Sequence, residues 1–394
     1  MHLSDRYRIS VHMQIAEIEE EWSALAPFDI FYSTEFLRCI EDVPPSGIMP
    51  VYVLLYENDV PSGILYFQYK HIRLSESLRF RIKEDELLIT TLYTSAKKLL
   101  SGLINMPALV CGNTMLTGTY GFHLPGIIDK TQLIALVSDI SVKVSDYLNE
   151  KGYAKGLILI KDLDTDLFPL SSGPKDFTGF KVEPDMVVHI PESWKSMEDY
   201  FEDMKSKYRV RARRAFKKCA PVVKKTLSAD QIREYRYEIN SLYKNVSEEA
   251  GFNLFTLHEN YFEKLKEALG DKIQCTAYFI NNRIVGFYTA IKNYKRLDAH
   301  FLGYNAESNP ECQLYLNMLY DLVKMGIDYR AEKVVMSRTA LEIKSSVGAE
   351  PEDLMLYLSH TSPVINKFVA PLVNILTPDK KWKERNPFRD TTED

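Results

Sequence analysis

The stretch from Ile273 to Tyr304 constrains the fold more than any other, because it reads as three strands joined by two tight turns. Ile273 to Ile280 carries β-branched and aromatic residues, Asn281-Asn282 is turn chemistry, and Arg283 to Lys292 resumes a strand. After a second break at Asn293 to Arg296, the run from Leu297 to Tyr304 alternates. Leu297, Ala299, Phe301 and Gly303 are expected on one face, and Asp298, His300, Leu302 and Tyr304 on the other. The same spacing occurs earlier in the chain. Tyr56 to Ile64 and Phe279 to Phe287 each contain an apolar strand, a turn at Asn58 or Asn281, and a glycine, Gly63 or Gly286, entering the next strand. A duplicated domain explains the match; so would two unrelated hairpins with common turn chemistry.

Duplication fits the length, since 394 residues exceed one small core and favour two domains. A hydrophobic fraction of 45% with 26% charged residues is ordinary for a globular protein. The 49 basic and 54 acidic residues leave a net charge of −5, so no global field recruits DNA or anionic lipid. Cys39, Cys111, Cys219, Cys275 and Cys312 lie far apart without metal-ligand spacing, which fits a reducing compartment and gives no metal site. Met1 to Arg8 lacks the apolar core of a secretory signal, and no run approaches the ~20 apolar residues of a membrane span. A cytoplasmic protein is expected, at most peripheral to a membrane.

Helical spacing is expected over Ile15–Leu25, from Ser33 or Thr34 to Ile40, and over Thr131–Asn149; strands over Met49–Tyr56, Val60–Ile72 and Gly156–Ile160. The charged stretch from Ser75 to Leu87 stands between them, and Cys111 to Phe122 is glycine-rich without phosphate-loop spacing. Asp162 to Ser172 reads as a connection. The second half opens with a strand at Met186–Ile190, then one helix from Ser193 to about Cys219 whose later part is basic. A short strand at Val222–Leu227 and helices over Ala229–Ala250 and His258–Leu269 precede the central strands. A helix at Pro310–Met325, a strand at Val334–Met336, a helix at Leu341–Val347 and a strand at Leu354–Leu358 follow. The expected class is α+β with mixed sheets, divided as 1–183, 184–360 and a tail over 361–394.

That element order resembles the GNAT acyltransferase superfamily. Lys205 to Ala215 looks like the basic helix opening the C-terminal domain of tandem-GNAT proteins of the FemAB-like group, and Arg338 to Ala349 looks like a recurring element of that group. The resemblance implies two GNAT-like domains in tandem, with the main cleft in the second. It implies N-acyl transfer from an activated donor (acyl-CoA, acyl-carrier protein or aminoacyl-tRNA, as co-substrate rather than bound cofactor) to a small-molecule, peptide or lipid amine. The nearest alternatives are a tRNA-dependent aminoacyl transferase of cell-wall peptide branching and an inert peptide or lipid-headgroup binder. One departure matters: Asn305 to Cys312, where acetyl-CoA enzymes carry a glycine-rich pyrophosphate loop, has no glycine and two acids.

Acyl transfer to an amine needs a base, charge stabilisation and proximity. His300 is the candidate base, Asp298 its orienting group, and Tyr304 a donor to the leaving group or oxyanion; a buried structural histidine is the competing reading. Arg338 offers a fork for carboxylate or phosphate, Lys344 a point charge, and Glu342 a partner for either or for the amine. An ordinary Arg–Glu surface pair would place these residues equally well. Tyr208, Arg209 and Arg213 are the candidate donor contacts on the basic helix, weighed against a solvated face. The apolar run Phe368 to Leu376 followed by Lys380-Lys381-Trp382 either rests at a membrane interface or packs on the body of the protein.

Overall fold

The computed structural model describes residues 1–4, 6–73, 105–127, 129–168, 173–249, 255–376 and 382–389. The charged stretch 75–87, Pro169 and Lys380-Lys381 lie outside them. The first half supplies strands β1 (Tyr7–His12), β2 (Ile48–Glu57), β3 (Val60–Arg73), β4 (Asn105–Cys111), β5 (Phe122–His123), β6 (Leu157–Asp164) and β7 (Thr178–Lys181). The second supplies β8 (Asp185–His189), β9 (Val223–Thr226), β10 (Ile273–Ile280), β11 (Arg283–Asn293), β12 (Arg296–Tyr304), β13 (Lys333–Val335), β14 (Glu350–Glu352) and β15 (Leu354–His360). They form two mixed sheets flanked by helices. The first runs β1-β2-β3-β4-β6-β15-β7, with β5 also pairing β3; the second runs β14-β8-β13-β12-β11-β10-β9. Among the described residues each sheet holds one parallel pair, β4 with β6 and β12 with β13, joined through a helical crossover, Lys130–Glu150 or Leu314–Tyr329.

The repeat extends to backbone detail. Asn58 and Asp59 adopt φ of 49° and 65°, and Asn281 and Asn282 adopt 49° and 61°. Two successive left-handed residues give the turn that suits the right-handed twist of a hairpin, and Asn and Asp tolerate that region. Both hairpins then carry a register shift, and the glycine pairs across it: Gly63 opposite Leu55, Gly286 opposite Tyr278. The two units share a hairpin with its bulge.

The units are also stitched together. β7 leads directly to β8, and β14 to β15, yet the second strand of each pair crosses to the other sheet. β8 pairs with β13 and β14, whereas β15 pairs with β6 and β7. The sequence therefore changes sheet next to residue 184, and Leu354–His360 returns to the first sheet. A shared core adds to the join, with Trp22, Phe36, Tyr52 and Tyr66 of the first unit in one apolar cluster with Tyr261, Phe262, Phe279 and Phe287 of the second.

Where helices were expected to be continuous, tertiary contacts break them. Met204 is extended between the helices Met197–Asp203 and Ser206–Cys219, buried and bridged to Phe388 of the tail. Gln313, at φ 49°, separates the short turn Asn309–Cys312 from the crossover helix. Ser33 caps Thr34–Asp42 by accepting from the Phe36 N–H.

Candidate functional site

The strand that gathered the catalytic candidates does not alternate throughout. Between Ala299 and Leu302, β12 sets two residues, His300 and Phe301, against Thr289 alone. Phe301 N–H donates to Thr289 Oγ1 at 3.0 Å, and that hydroxyl lies equally close to the Phe301 carbonyl. This bulge turns Tyr304 to the face opposite Asp298 and His300, where its ring lies beside Tyr315 with centroids 5.8 Å apart. The expected acid–imidazole–phenol cluster is therefore split between two layers.

The His300 ring is enclosed by Phe31, Phe36, Tyr261 and Phe301, and its Nε2 sits 2.7 Å from the Tyr261 hydroxyl. Desolvation in this aromatic nest pushes its pKa down to about 3. Asp298 serves another partner. Arg296 Nε donates to both its oxygens, at 2.9 and 3.2 Å, while Arg296 Nη2 reaches Asp29 Oδ2 at 2.7 Å and the Tyr120 hydroxyl at 2.5 Å. Burial raises the Asp298 pKa against the pull of that guanidinium. Arg296 thus ties β12 to two loops of the first unit.

The segment after β13 is built under strain. Ser337, Thr339 and Ala340 all have positive φ (58°, 67° and 49°), a conformation costly for residues with a Cβ. Lys344 holds it: its buried Nζ donates to the carbonyls of Ser337 at 2.9 Å and Arg338 at 2.5 Å. Desolvation takes the Lys344 pKa down to about 7, opposed by nearby Asp185 and Glu183. Arg338 donates to Asp162 Oδ1 of the first unit, where Lys161 Nζ pairs with Oδ2 and the Gly118 N–H donates to Oδ2 at 3.2 Å. Asp162 is buried, which opposes its charge, but Lys161 and Arg338 outweigh that and lower its pKa. Arg338 and Lys344, expected to face a donor, are engaged with protein groups. The sequence did not signal the Lys161–Asp162 pair: Asp162 reads there as the start of a connection, whereas the strand runs on to Asp164.

Glu342 stands apart, because it lines a cavity of about 590 Å3 with Leu341, Ile343, Glu183, Arg211, Trp382 and Arg385. Arg385 donates to Glu342 Oε1 across the cavity wall, and its backbone N–H donates to Ser345 Oγ at 3.0 Å. The size suits a small ligand, and two arginines with two glutamates supply both signs of charge. Trp382 and Arg385 arrive on the tail, which docks through Phe388 against Trp194 and Tyr200, at 5.2 and 5.7 Å between centroids. Residues 382–389 thus pack on the body of the protein. On the basic helix, Tyr208 is buried with Ala212, Ala215 and Cys219, so it offers no stacking surface. Arg209 lies against the Phe201 and Glu202 carbonyls, Arg213 is exposed, and Arg211 is the residue that reaches the cavity. The basic run signalled Arg211; nothing in the tail marked Arg385.

Side chains occupy backbone donors at the start of both crossover helices. Asp129 accepts from the Thr131 and Gln132 N–H groups, and Asn309 accepts from Tyr315 N–H at 3.0 Å. Among the described residues no group of three or more His, Cys, Asp or Glu is placed to hold a metal ion, and no helix is long and apolar enough to cross a membrane.

No family model matches the sequence. No curated protein matches it either. Solved structures do. FemX shares 10% identity over 92% of this chain and 100% of its own, with a TM-score of 0.52. A tandem GNAT protein from the clavulanic acid biosynthesis pathway covers 91% of this chain and 99% of its own at 9% identity and TM-score 0.49. L-PGS from Bacillus licheniformis covers 86% and 96% at 11% identity and TM-score 0.45. With its duplicated hairpins and two crossed sheets, the chain shares its fold with FemX.

Proposed function

We propose that the protein is an N-acyltransferase, moving an acyl or aminoacyl group from an activated donor to an amine by direct attack. One observation carries the reading: the cavity beyond β13, where Arg211, Glu183, Glu342, Trp382 and Arg385 converge from four separate segments of the chain. Carboxylates of Glu183 and Glu342 suit an ammonium group awaiting deprotonation, and the Arg211 fork suits a carboxylate or phosphate on either substrate. In this reading the rate comes from holding amine and acyl carbon together, and His300, with its ring held neutral among aromatics, is structural rather than the base. Acyl-CoA, acyl-carrier protein or aminoacyl-tRNA would serve as co-substrate, and the acceptor would be a small-molecule, peptide or lipid amine in the cytoplasm. Capping at both crossover helices argues against acetyl-CoA held in the usual pyrophosphate cradle.

The test incubates the pure protein with each donor and a panel of amines, with mass-spectrometric detection of the amide. A condensation product that Arg211→Ala and Glu342→Gln reduce at least tenfold is the expected result. No product from any donor, with wild-type protein at high concentration, would end the reading.

A further inference from the structure

The helix Ser206–Cys219 buries Tyr208, Ala212, Ala215 and Cys219, a stripe one helical turn apart. The neighbouring line of the same helix carries Lys207, Arg211, Arg214 and Lys218 at the same spacing, spanning roughly 16 Å. None of the four has an ion pair with a carboxylate among the described residues; Lys218 Nζ reaches only the Pro310 carbonyl, at 3.3 Å. The stripe leads into the cavity, because Arg211 is one of its walls. Glu311, next to Pro310, is exposed near the Lys218 end of the stripe. Val210 stands exposed next to it, at 49%.

We propose that this stripe docks one acidic helix of a carrier protein that delivers the acyl group as a thioester on a flexible arm. The proposal rests on the acyltransferase reading and names its donor. Four cations at helical spacing match acids at helical spacing on a partner, and such complementarity sets register and speeds encounter. A nucleic acid fits less well. Its affinity grows with the number of phosphates neutralised along an extended track, and here the line of cations spans only roughly 16 Å. Unpaired bases also need exposed rings to stack on, whereas Tyr208 is buried and Phe216 packs against Phe201 and Tyr320. Exposed Val210 offers a protein partner the apolar contact that a phosphate backbone would leave unused. In the transfer itself the amine nitrogen bonds to the thioester carbonyl carbon and the C–S bond breaks. The amine proton ends on the departing sulfur, leaving a free thiol on the arm.

The experiment titrates the full chain with a purified acyl carrier protein in its apo form, and separately with deacylated tRNA, at low and physiological salt. Carrier binding that Lys207→Glu with Arg214→Glu weakens at least tenfold, and that an acid-to-lysine change on the carrier restores, supports the proposal. Both changes lie on the solvent face, and circular dichroism verifies folding. Tighter binding of tRNA than of carrier overturns it, as does the absence of carrier binding at low salt. Because the apo carrier has no acyl group, carrier binding by a protein that transfers nothing refutes the acyltransferase reading and leaves the docking surface standing.

Discussion

Arg338 of the second unit donates to the buried carboxylate of Asp162 in the first, and Lys161 holds the other oxygen of that carboxylate. Asp162 therefore neutralises two cations and closes the junction between the sheets. Asp162→Ala is expected to cost about 3–5 kcal/mol, because it leaves the buried Lys161 and the half-buried Arg338 without a counter-ion. Arg338→Gln should cost less, since Lys161 still matches the carboxylate. Urea unfolding of both variants at neutral pH checks the order, and equal losses would contradict it.

His300 makes stability depend on acidity. Its ring loses protons below the ordinary range on folding, from 6.5 to about 3, so in this window the unfolded chain binds the extra proton. Stability should thus fall as pH drops from 6.5 toward 3, by about 2 kcal/mol at pH 5 for this one group. His300→Gln removes that slope. Urea midpoints of wild type and variant at pH 7 and pH 5 decide the matter: the same pH response in both means that the ring is not held neutral. If the acyltransferase reading is right, His300→Gln also keeps turnover within a few-fold of wild type.

Glycines in the sheets are not equivalent. An added Cβ at Gly303 would sit 2.4 Å from the backbone carbon of Leu242, which cannot move without shifting a helix. At Gly63 it would meet the Leu124 side chain at 2.2 Å and the His123 carbonyl at 3.0 Å, and at Gly286 only the flexible end of Met318 lies closer than 3 Å. Alanine should therefore destabilise in the order Gly303, Gly63, Gly286, by roughly 1–3 kcal/mol or more at the first and little at the last. Thermal melts of the three variants measure it.

Much of this architecture was legible because it is local. Asn58 and Asn281 announce left-handed turns, and a glycine at fixed spacing marks the bulge in each hairpin, so the tandem fold could be read from two short stretches. The site was less legible for reasons that are not local. Alternation placed Tyr304 beside His300, but the bulge at Thr289 depends on a hydroxyl across the sheet, which no period-two pattern encodes. Arg338 and Lys344 are polar in the sequence whether they face a ligand or a buried carboxylate, and only the crossing of the sheets brings Asp162 within reach of Arg338. Likewise, the strand exchange joins residues more than a hundred positions apart, and Arg385 enters the cavity because the tail folds back over it.

That return is itself testable. Phe388 packs against Trp194 and Tyr200, and the Lys205 N–H donates to the Pro387 carbonyl at 2.8 Å, so the tail is held on both sides of the extended residue Met204 between the two helices. Gly348, at φ 93°, lies under the same ring, and a Cβ there would come within 2.4 Å of it. Phe388→Ala removes the anchor and Gly348→Ala evicts it, so two different changes should give one phenotype. Both are expected to release Trp382 and Arg385 from the cavity wall, raising KM for the ligand bound there at least tenfold while kcat at saturation changes little. The stability cost should be modest, about 1–3 kcal/mol, because the ring is only partly buried. Steady-state kinetics beside urea unfolding separates the two effects. An unchanged KM in both variants would show that the tail braces the fold without forming part of the site.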